Sequence, residues 1–344
     1  MTRKRQAPPK LWNPRLDTVK VSDMVNNLRL DKKNYVNVLK EYLIIIGLLA
    51  LIVVTSIVEP KFLTAANLTN VLRQFGPLGL VSLGVTFVLL GGYIDLSVGG
   101  TFSVVAVIAM LTANQYGQLQ GLVVAIGVGA ALGCLNGLIL LLFGAKSSAD
   151  GLFITYGMGI VCGSISQIIT GGGTEHLDRG PLTDTVGKGT VGFLPVSFVI
   201  FLVALVMLYI FQKSTYAGRS IMMTGGNPTA ARLSGIPVNR SIFIMYLLSG
   251  LMAGIGAFVL FSRVTTANPS VGRGYETDAL MAVVIGGTSL NGGQGSVVRT
   301  MIGVALVTLM SNCLNLLGVT PYMQYIMKGL ILIAAIWLDS KKER

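Results

Sequence analysis

Between Gln74 and Ala145 the chain carries a single charged residue, Asp95. About 20 apolar residues suffice to cross a bilayer, so a run of this length must be several membrane helices in succession. No soluble core could bury it. The rest of the composition agrees: 52% of residues are hydrophobic and 12% charged, against roughly 25% charged in soluble domains. Disordered, collagen-like and disulfide-stapled chains are excluded, and a soluble enzyme does not fit. The net charge of +12 would suit nucleic acid if it formed a surface patch. It sits instead in a terminal tail and in short connections between apolar runs, which points to the lipid bilayer and not to nucleic acid.

Residues 1–41 form a basic tail, with ten Lys or Arg against Asp17, Asp23 and Asp31 in the first 40 positions. No apolar stretch opens before residue 42, so the tail does not read as a cleavable signal. Val19–Leu30 has the pattern of a short amphipathic helix on anionic lipid. Residues 42–340 form the membrane domain, and 341–344 a short basic end. Spans are expected at 42–58, 74–94, two within 96–145, then 150–170, 195–212, 241–262, 276–290, 296–317 and 321–338. The polar stretch Asn114–Gln120 divides the fifty uncharged residues 96–145. Thr64–Phe75 reads as an amphipathic segment at the interface, too short to cross.

The fold class is therefore an all-α polytopic membrane protein of about ten transmembrane helices. With both termini in the cytoplasm, the inner segments hold 18 Lys and Arg and the outer ones six, as the positive-inside rule requires. A weak internal repeat is visible. Gly91-Gly92-Tyr93-Ile94-Asp95-Leu96-Ser97-Val98-Gly99-Gly100 ends the second span, and Gly286-Gly287-Thr288-Ser289-Leu290-Asn291-Gly292-Gly293 ends the eighth. Both follow an inward span and precede an outward one, as in two parallel repeats with broken, glycine-rich helices.

Asp95 is the most informative residue. A carboxylate at membrane depth must face protein or water. The glycines around it allow the helix to break where protein surrounds the freed backbone. Two readings stay open: a broken helix along a transport pathway, marked by Gly92, Asp95, Ser97, Gly99, Gly286, Gly287, Ser289 and Asn291, or a structural carboxylate at the start of the following helix. Gly129, Gly133 and Gly137, and likewise Gly250 and Gly254, have the spacing of closely packed helices. Lys328 lies within the last span, where its stem either snorkels outward or pairs with Asp95 or Asp278. The outer loop 171–195, with Glu175, His176, Asp178, Arg179 and Asp184, reads as solvated or as a docking surface.

Other chemistries find little support. Cys134, Cys162 and Cys313 form no metal-binding spacing, and His176 is the only histidine, so no metal site is expected. No phosphate-binding loop occurs, and Gly187-Lys188-Gly189-Thr190 lacks the upstream glycine spacing. An ion-coupled secondary transporter would need titratable groups along its spans. Asp95, Glu276, Asp278, Arg299 and Lys328 are the candidates, and most lie near span ends.

The inner loop 213–240 is the longest connection after the tail. In it Asn227, Pro228 and Thr229-Ala230-Ala231-Arg232-Leu233 supply an N-cap, a first-turn proline and helix formers. Gly235 and Pro237 then stop the helix. A short helix lying across an inner loop suits docking to a soluble partner.

The stretch Gly225-Gly226-Asn227-Pro228-Thr229-Ala230-Ala231-Arg232-Leu233-Ser234-Gly235-Ile236 resembles the coupling loop of bacterial ribose- and galactose-type ABC permeases. Gly92 through Gly99 is similar to that family's Gly-Ile-Asp-Leu-Ser-Val-Gly signature, with Tyr93 inserted. Gly286 through Gly295 resembles its second glycine signature, and Pro321-Tyr322, Gln324-Tyr325, Lys328-Gly329 and Asp339 its C-terminal end. The resemblance spans about residues 42–340. It implies a multi-pass permease of the bacterial cytoplasmic membrane, a second permease copy or paralogue, cytoplasmic ATPase subunits that hold ATP and Mg, and an extracytoplasmic solute-binding protein. The chain itself would bind no cofactor and catalyse no covalent step. Gly226, Asn227, Ala230, Ala231 and Gly235 would couple to the ATPase. The solute would be a sugar, with nucleosides and furanose signals as alternatives.

Overall fold

The computed structural model describes residues 43–144 and 147–342. The tail and the candidate helix at Val19–Leu30 lie outside them. The described residues from Ile44 onward form one unit, almost wholly helical. Its first helices are α1 (Leu43–Val58), α2 (Ala65–Leu90), α3 (Val98–Tyr116), α4 (Gln118–Leu142) and α5 (Ser148–Thr170). There follow β1 (Glu175–His176), α6 (Pro181–Lys188), β2 (Thr190–Val191), β3 (Leu194–Pro195) and α7 (Val196–Ser214). The chain continues with α8 (Tyr216–Gly226), α9 (Pro228–Leu233), α10 (Val238–Val264), β4 (Thr266–Ala267), α11 (Tyr275–Ile285), α12 (Val297–Leu316) and α13 (Pro321–Lys342). Seven helices among the described residues, α2 to α5, α7, α10 and α12, are long and apolar enough to cross a membrane.

Two expected boundaries are corrected. Thr64–Phe75 is not a separate interfacial segment. Thr64 caps α2 by accepting from the Asn67 N–H at 3.3 Å, and one 26-residue helix runs through to Leu90. Pro77 lies inside it, and a proline removes one backbone bond without ending a helix that is held by its neighbours. Here the α7 start holds it: a side chain at Gly76 would meet the Ser197 backbone, and one at Gly79 the Phe201 ring. The span expected at 276–290 is the second correction. Its helix, α11, has 11 residues, roughly 16 Å at 1.5 Å per residue, about half of a 30 Å hydrocarbon core.

The centre of the unit is α2, whose apolar stretch is 83% buried, against 17% for α5. Beside it, α4 and α10 pack antiparallel through the expected glycine ladders. Gly129 sits on Gly250 and Gly254, Gly133 on Tyr246 and Gly250, and Gly137 on Phe243. Both ladders are consumed inside one chain, where small residues let the backbones approach.

One end of the bundle carries a cap built from loop 171–195. Antiparallel β1 and β4 pair Glu175 with Ala267 and His176 with Thr266, and β2 pairs with β3. The polar turn between α3 and α4 holds this cap. Asn114 donates to the His176 carbonyl at 2.8 Å and accepts from the Asp178 N–H at 2.9 Å. Gln118 accepts the Leu182 N–H at 2.8 Å, at the start of α6.

Candidate functional site

Helix α2 ends in a turn that the sequence dictates. The Gly92 N–H reaches the Leu89 carbonyl at 2.9 Å and the Tyr93 N–H reaches Val88 at 3.1 Å, the paired bonds of a Schellman cap. Gly92 takes φ +81°, which L side chains rarely adopt. Helix α11 ends identically: Gly287 N–H to Val284 at 2.8 Å, Thr288 N–H to Val283 at 3.2 Å, and Gly287 at φ +81°. The two glycine signatures thus make one turn geometry at two places.

Beyond Gly92 the backbone runs non-helical to Ser97, and neighbouring helices satisfy its freed groups. From α5, the Thr155 hydroxyl accepts the Leu96 N–H at 3.0 Å. From α10, the Tyr246 hydroxyl donates to the Ile94 carbonyl at 3.3 Å. Asp95 is buried, with 4% of its surface exposed. Its Oδ1 accepts from the N–H and the hydroxyl of Ser97, at 3.0 and 2.6 Å, and its Oδ2 from the Ser249 hydroxyl at 2.8 Å. Asn136 of α4 donates to the same Ser97 hydroxyl at 2.7 Å. Ser97 is the N-cap residue of α3, so the carboxylate ties the start of α3 to α10, and Asn136 adds α4. The space beside it, lined by Thr101, Asn136 and Ser249 among others, has no room for a water molecule. Among the described residues Asp95 has no cation partner. This geometry is that of a brace.

The second break, residues 286–296, is held by Gln212 at the end of α7. Gln212 is fully buried, donates to the Gly295 carbonyl at 3.2 Å and accepts the Val297 N–H at 3.2 Å. Ser289 accepts the Asn291 N–H at 3.2 Å on its hydroxyl.

Three glycine pairs from distant parts of the chain meet at the end of the bundle opposite the cap. The Gly293 N–H donates to the Leu90 carbonyl at 2.9 Å. A methyl group at Gly225 would collide with that same carbonyl oxygen. One at Gly292 would lie 2.7 Å from the Gly92 Cα, and one at Gly293 2.6 Å from the Gly226 Cα. The ends of α2 and α8 and the 286–296 segment therefore touch backbone to backbone, with no side chain between them. Asn291 lies here too, beside a cavity of about 330 Å³ shared with Gly92, Gly225 and Pro228.

From this junction α9 projects. Asn227 caps it, accepting the Ala230 N–H at 2.9 Å, and Gly235 follows it with the Ile236 N–H bonded to the Ala231 carbonyl at 2.9 Å. The connection 213–240 is mostly helical, since α8 fills its first half. Ala231 needs a correction as a partner-facing residue. It is 3% exposed and packs into its own chain, whereas Leu233 is 86% exposed. Ala230 and Gly235 are on the exposed side.

A second junction joins the starts of α3 and α11. Tyr275 stacks on Phe102 with ring centroids 4.5 Å apart, and the Gly272 N–H donates to Ser103 at 2.9 Å. Gly99 has no side chain because the Glu276 carboxylate occupies that place. Lys328 pairs with Asp278, Nζ to Oδ2 at 2.7 Å, which joins α13 to α11 and leaves Asp95 to its hydroxyl partners.

Sequence reasoning missed Asn136, Ser249 and Gln212, and weighed Glu276 only as a titratable group of an ion-coupled transporter. Their signal was a polar residue within an otherwise apolar helix, or next to a glycine-rich turn, with no partner nearby in sequence.

The profile of the family described as "Branched-chain amino acid transport system / permease component" matches residues 67–336. The chain is 36% identical over 307 residues to the ribose import permease protein RbsC of Escherichia coli K12, covering 87% of this chain and 93% of the relative. It is 36% identical over 308 residues to RbsC of Bacillus subtilis 168, covering 86% and 92%. It is 32% identical over 332 residues to the galactose/methyl galactoside import permease protein MglC of Escherichia coli K12, covering 91% and 98%. No solved structure matches the chain.

Proposed function

This chain belongs to the family of branched-chain amino acid transport system permease components, and we propose that within it the chain is the membrane-spanning subunit of an ATP-driven sugar importer. The relatives that match nearly full length are named for ribose and galactose import, which supports a pentose or hexose over a nucleoside or furanose signal. In this reading the protein lies in the bacterial cytoplasmic membrane with both termini inside. It pairs with a second permease copy or a paralogue. ATP and Mg stay on separate ATPase subunits, and an extracytoplasmic binding protein delivers the sugar to the capped end.

The observation that carries the reading is the junction of the three glycine pairs. Only Asn227 separates α9 from Gly225 and Gly226 along the chain, so a force on α9 reaches them at once and passes directly to the ends of both broken helices. Packed backbones transmit displacement because nothing between them can repack. A helix with an 86% exposed leucine at its tip, rooted on that junction, is suited to take a push from a moving partner. An ion-coupled mechanism gains less support, since Asp95 is walled off from water and Asp278 is paired with Lys328.

The test is contact and coupling at α9. A cysteine at Leu233 should crosslink to a co-expressed ATPase subunit. Leu233→Asp should reduce binding-protein-stimulated ATP hydrolysis by at least about tenfold, the lower end of the effect of losing one buried leucine's worth of interface at roughly 1.5–3 kcal/mol. Ala231→Trp should instead lower folded protein, because that side chain faces inward. Normal stimulated hydrolysis in Leu233→Asp, with no crosslink from residues 227–235, would overturn the importer assignment.

A further inference from the structure

Away from both the glycine junction and the Asp95 brace, a cavity of about 400 Å³ opens beside α5. It lies between the start of α3, the middle of α5 and the segment leading into α11. Small-molecule sites fall at roughly 300–1,000 Å³. Its walls mix two chemistries. Glu276, Arg273, Gln167 and Ser270 supply polar groups, while Leu96 and Tyr156 supply apolar surface.

The polar groups are available. Glu276 accepts a shared bond from the Gly274 N–H, at 3.1–3.2 Å, and one from its own backbone N–H, and a carboxylate has about four acceptor positions. Neither Glu276 nor Arg273 forms an ion pair among the described residues. Glu276 lies against Gly99, in the first turn of α3, about 25 Å along that helix from its far end at Tyr116. An ionisable group at such depth must face protein, water or a ligand, not lipid, and here it lines a cavity. The glycines make the room: Gly99 admits the carboxylate, and Gly100 lets α5 approach at Gly159.

We propose that this cavity, with Glu276 as its principal acceptor, is a binding station for an uncharged polyhydroxylated solute. A carboxylate takes two neighbouring hydroxyls at once. Gln167 and Arg273 donate to ring or hydroxyl oxygens, and Leu96 and Tyr156 cover the C–H face. The proposal rests on the importer reading for the direction of traffic, and on the cavity for its chemistry.

The experiment uses the full chain in lipid nanodiscs, with Cys134, Cys162 and Cys313 replaced by alanine and a single Ser270→Cys introduced at the cavity wall. Alkylation by a small water-soluble maleimide is timed with and without D-ribose, D-galactose or uridine. At least one of the three should slow the reaction, while a control cysteine at Thr185 reacts unchanged. Glu276→Gln and, separately, Gln167→Leu should raise the half-protecting concentration about tenfold, the effect of losing a charge-assisted or polar hydrogen bond. Both should react normally without sugar, which shows that the cavity is still formed. No protection by any of the three, or protection indifferent to both substitutions, would overturn the station. Capture of an ATPase subunit is scored in parallel. Capture without protection sinks the cavity and spares the importer reading, whereas protection without capture does the reverse.

Discussion

Asp95 illustrates how a residue can be conspicuous in sequence while its partners are not. A lone charge in a long apolar run is visible at once, but Ser249 lies 154 positions away and Asn136 joins through Ser97, 39 positions from it. Each is an ordinary polar residue in its own helix, and only the folded chain brings them together. The geometry separates two substitutions. Asp95→Asn keeps an acceptor for Ser97 and a polar end near Ser249, so folded protein should fall modestly. Asp95→Leu strands two hydroxyls and a backbone N–H in a space that holds no water. Each stranded group costs about 1–3 kcal/mol, so folded yield in detergent should drop severely. Comparable, near-normal melting of both variants would show that the brace is dispensable. Gln212 is a similar case: a buried glutamine at the end of a transmembrane helix gives no local hint that it clamps a segment 83 residues later.

Element boundaries were legible where a single residue type forces the backbone. The turns at Gly92 and Gly287 require a positive φ, and the capping of α9 follows from Asn227 and Pro228 in order. The boundaries that misled were those set by tertiary support. Thr64–Phe75 looks amphipathic because one flank of α2 is exposed near its start, yet the helix continues since α7 and α10 enclose its remaining turns. Helix α11 is short because Gly272 and Tyr275 are fastened to α3 at its start, a constraint invisible in its own sequence. A half-length helix needs a lateral anchor, and the Lys328–Asp278 pair supplies one. Its side chains are 16% and 20% exposed, so some solvent reaches it. Loss of either partner alone should cost roughly 2–3 kcal/mol, below the 3–5 kcal/mol of a fully buried pair. The double variant Asp278→Asn, Lys328→Gln should recover part of that loss, since no unpaired charge remains. Strictly additive shifts in Tm would mean that the two residues do not act together.

At the scale of the whole molecule, the charge count and the structure test orientation by different routes. Of the 18 basic residues assigned inside, ten belong to the tail; without them the balance is eight to six, too even to fix the later spans. Connectivity is the stronger argument. Helix α7 has 19 residues and a long apolar face, about 28 Å at 1.5 Å per residue. Lys188 precedes it, in the cap at the end of α6, and Lys213 lies in its last turn, next to α8. If α7 crosses the bilayer, these two positions must lie on opposite sides whatever the charge balance says. In the proposed reading, α9 meets the ATPase subunits on the cytoplasmic side, which would put Lys213 inside. In a cysteine-free background, an impermeant maleimide should therefore label Lys188→Cys in intact cells and Lys213→Cys only after permeabilisation. Labelling of both from one side would remove α7 from the set of spans. Reversed labelling would keep the fold but place α9 outside, where no ATPase could reach it, and the junction of the three glycine pairs would then need another source of force.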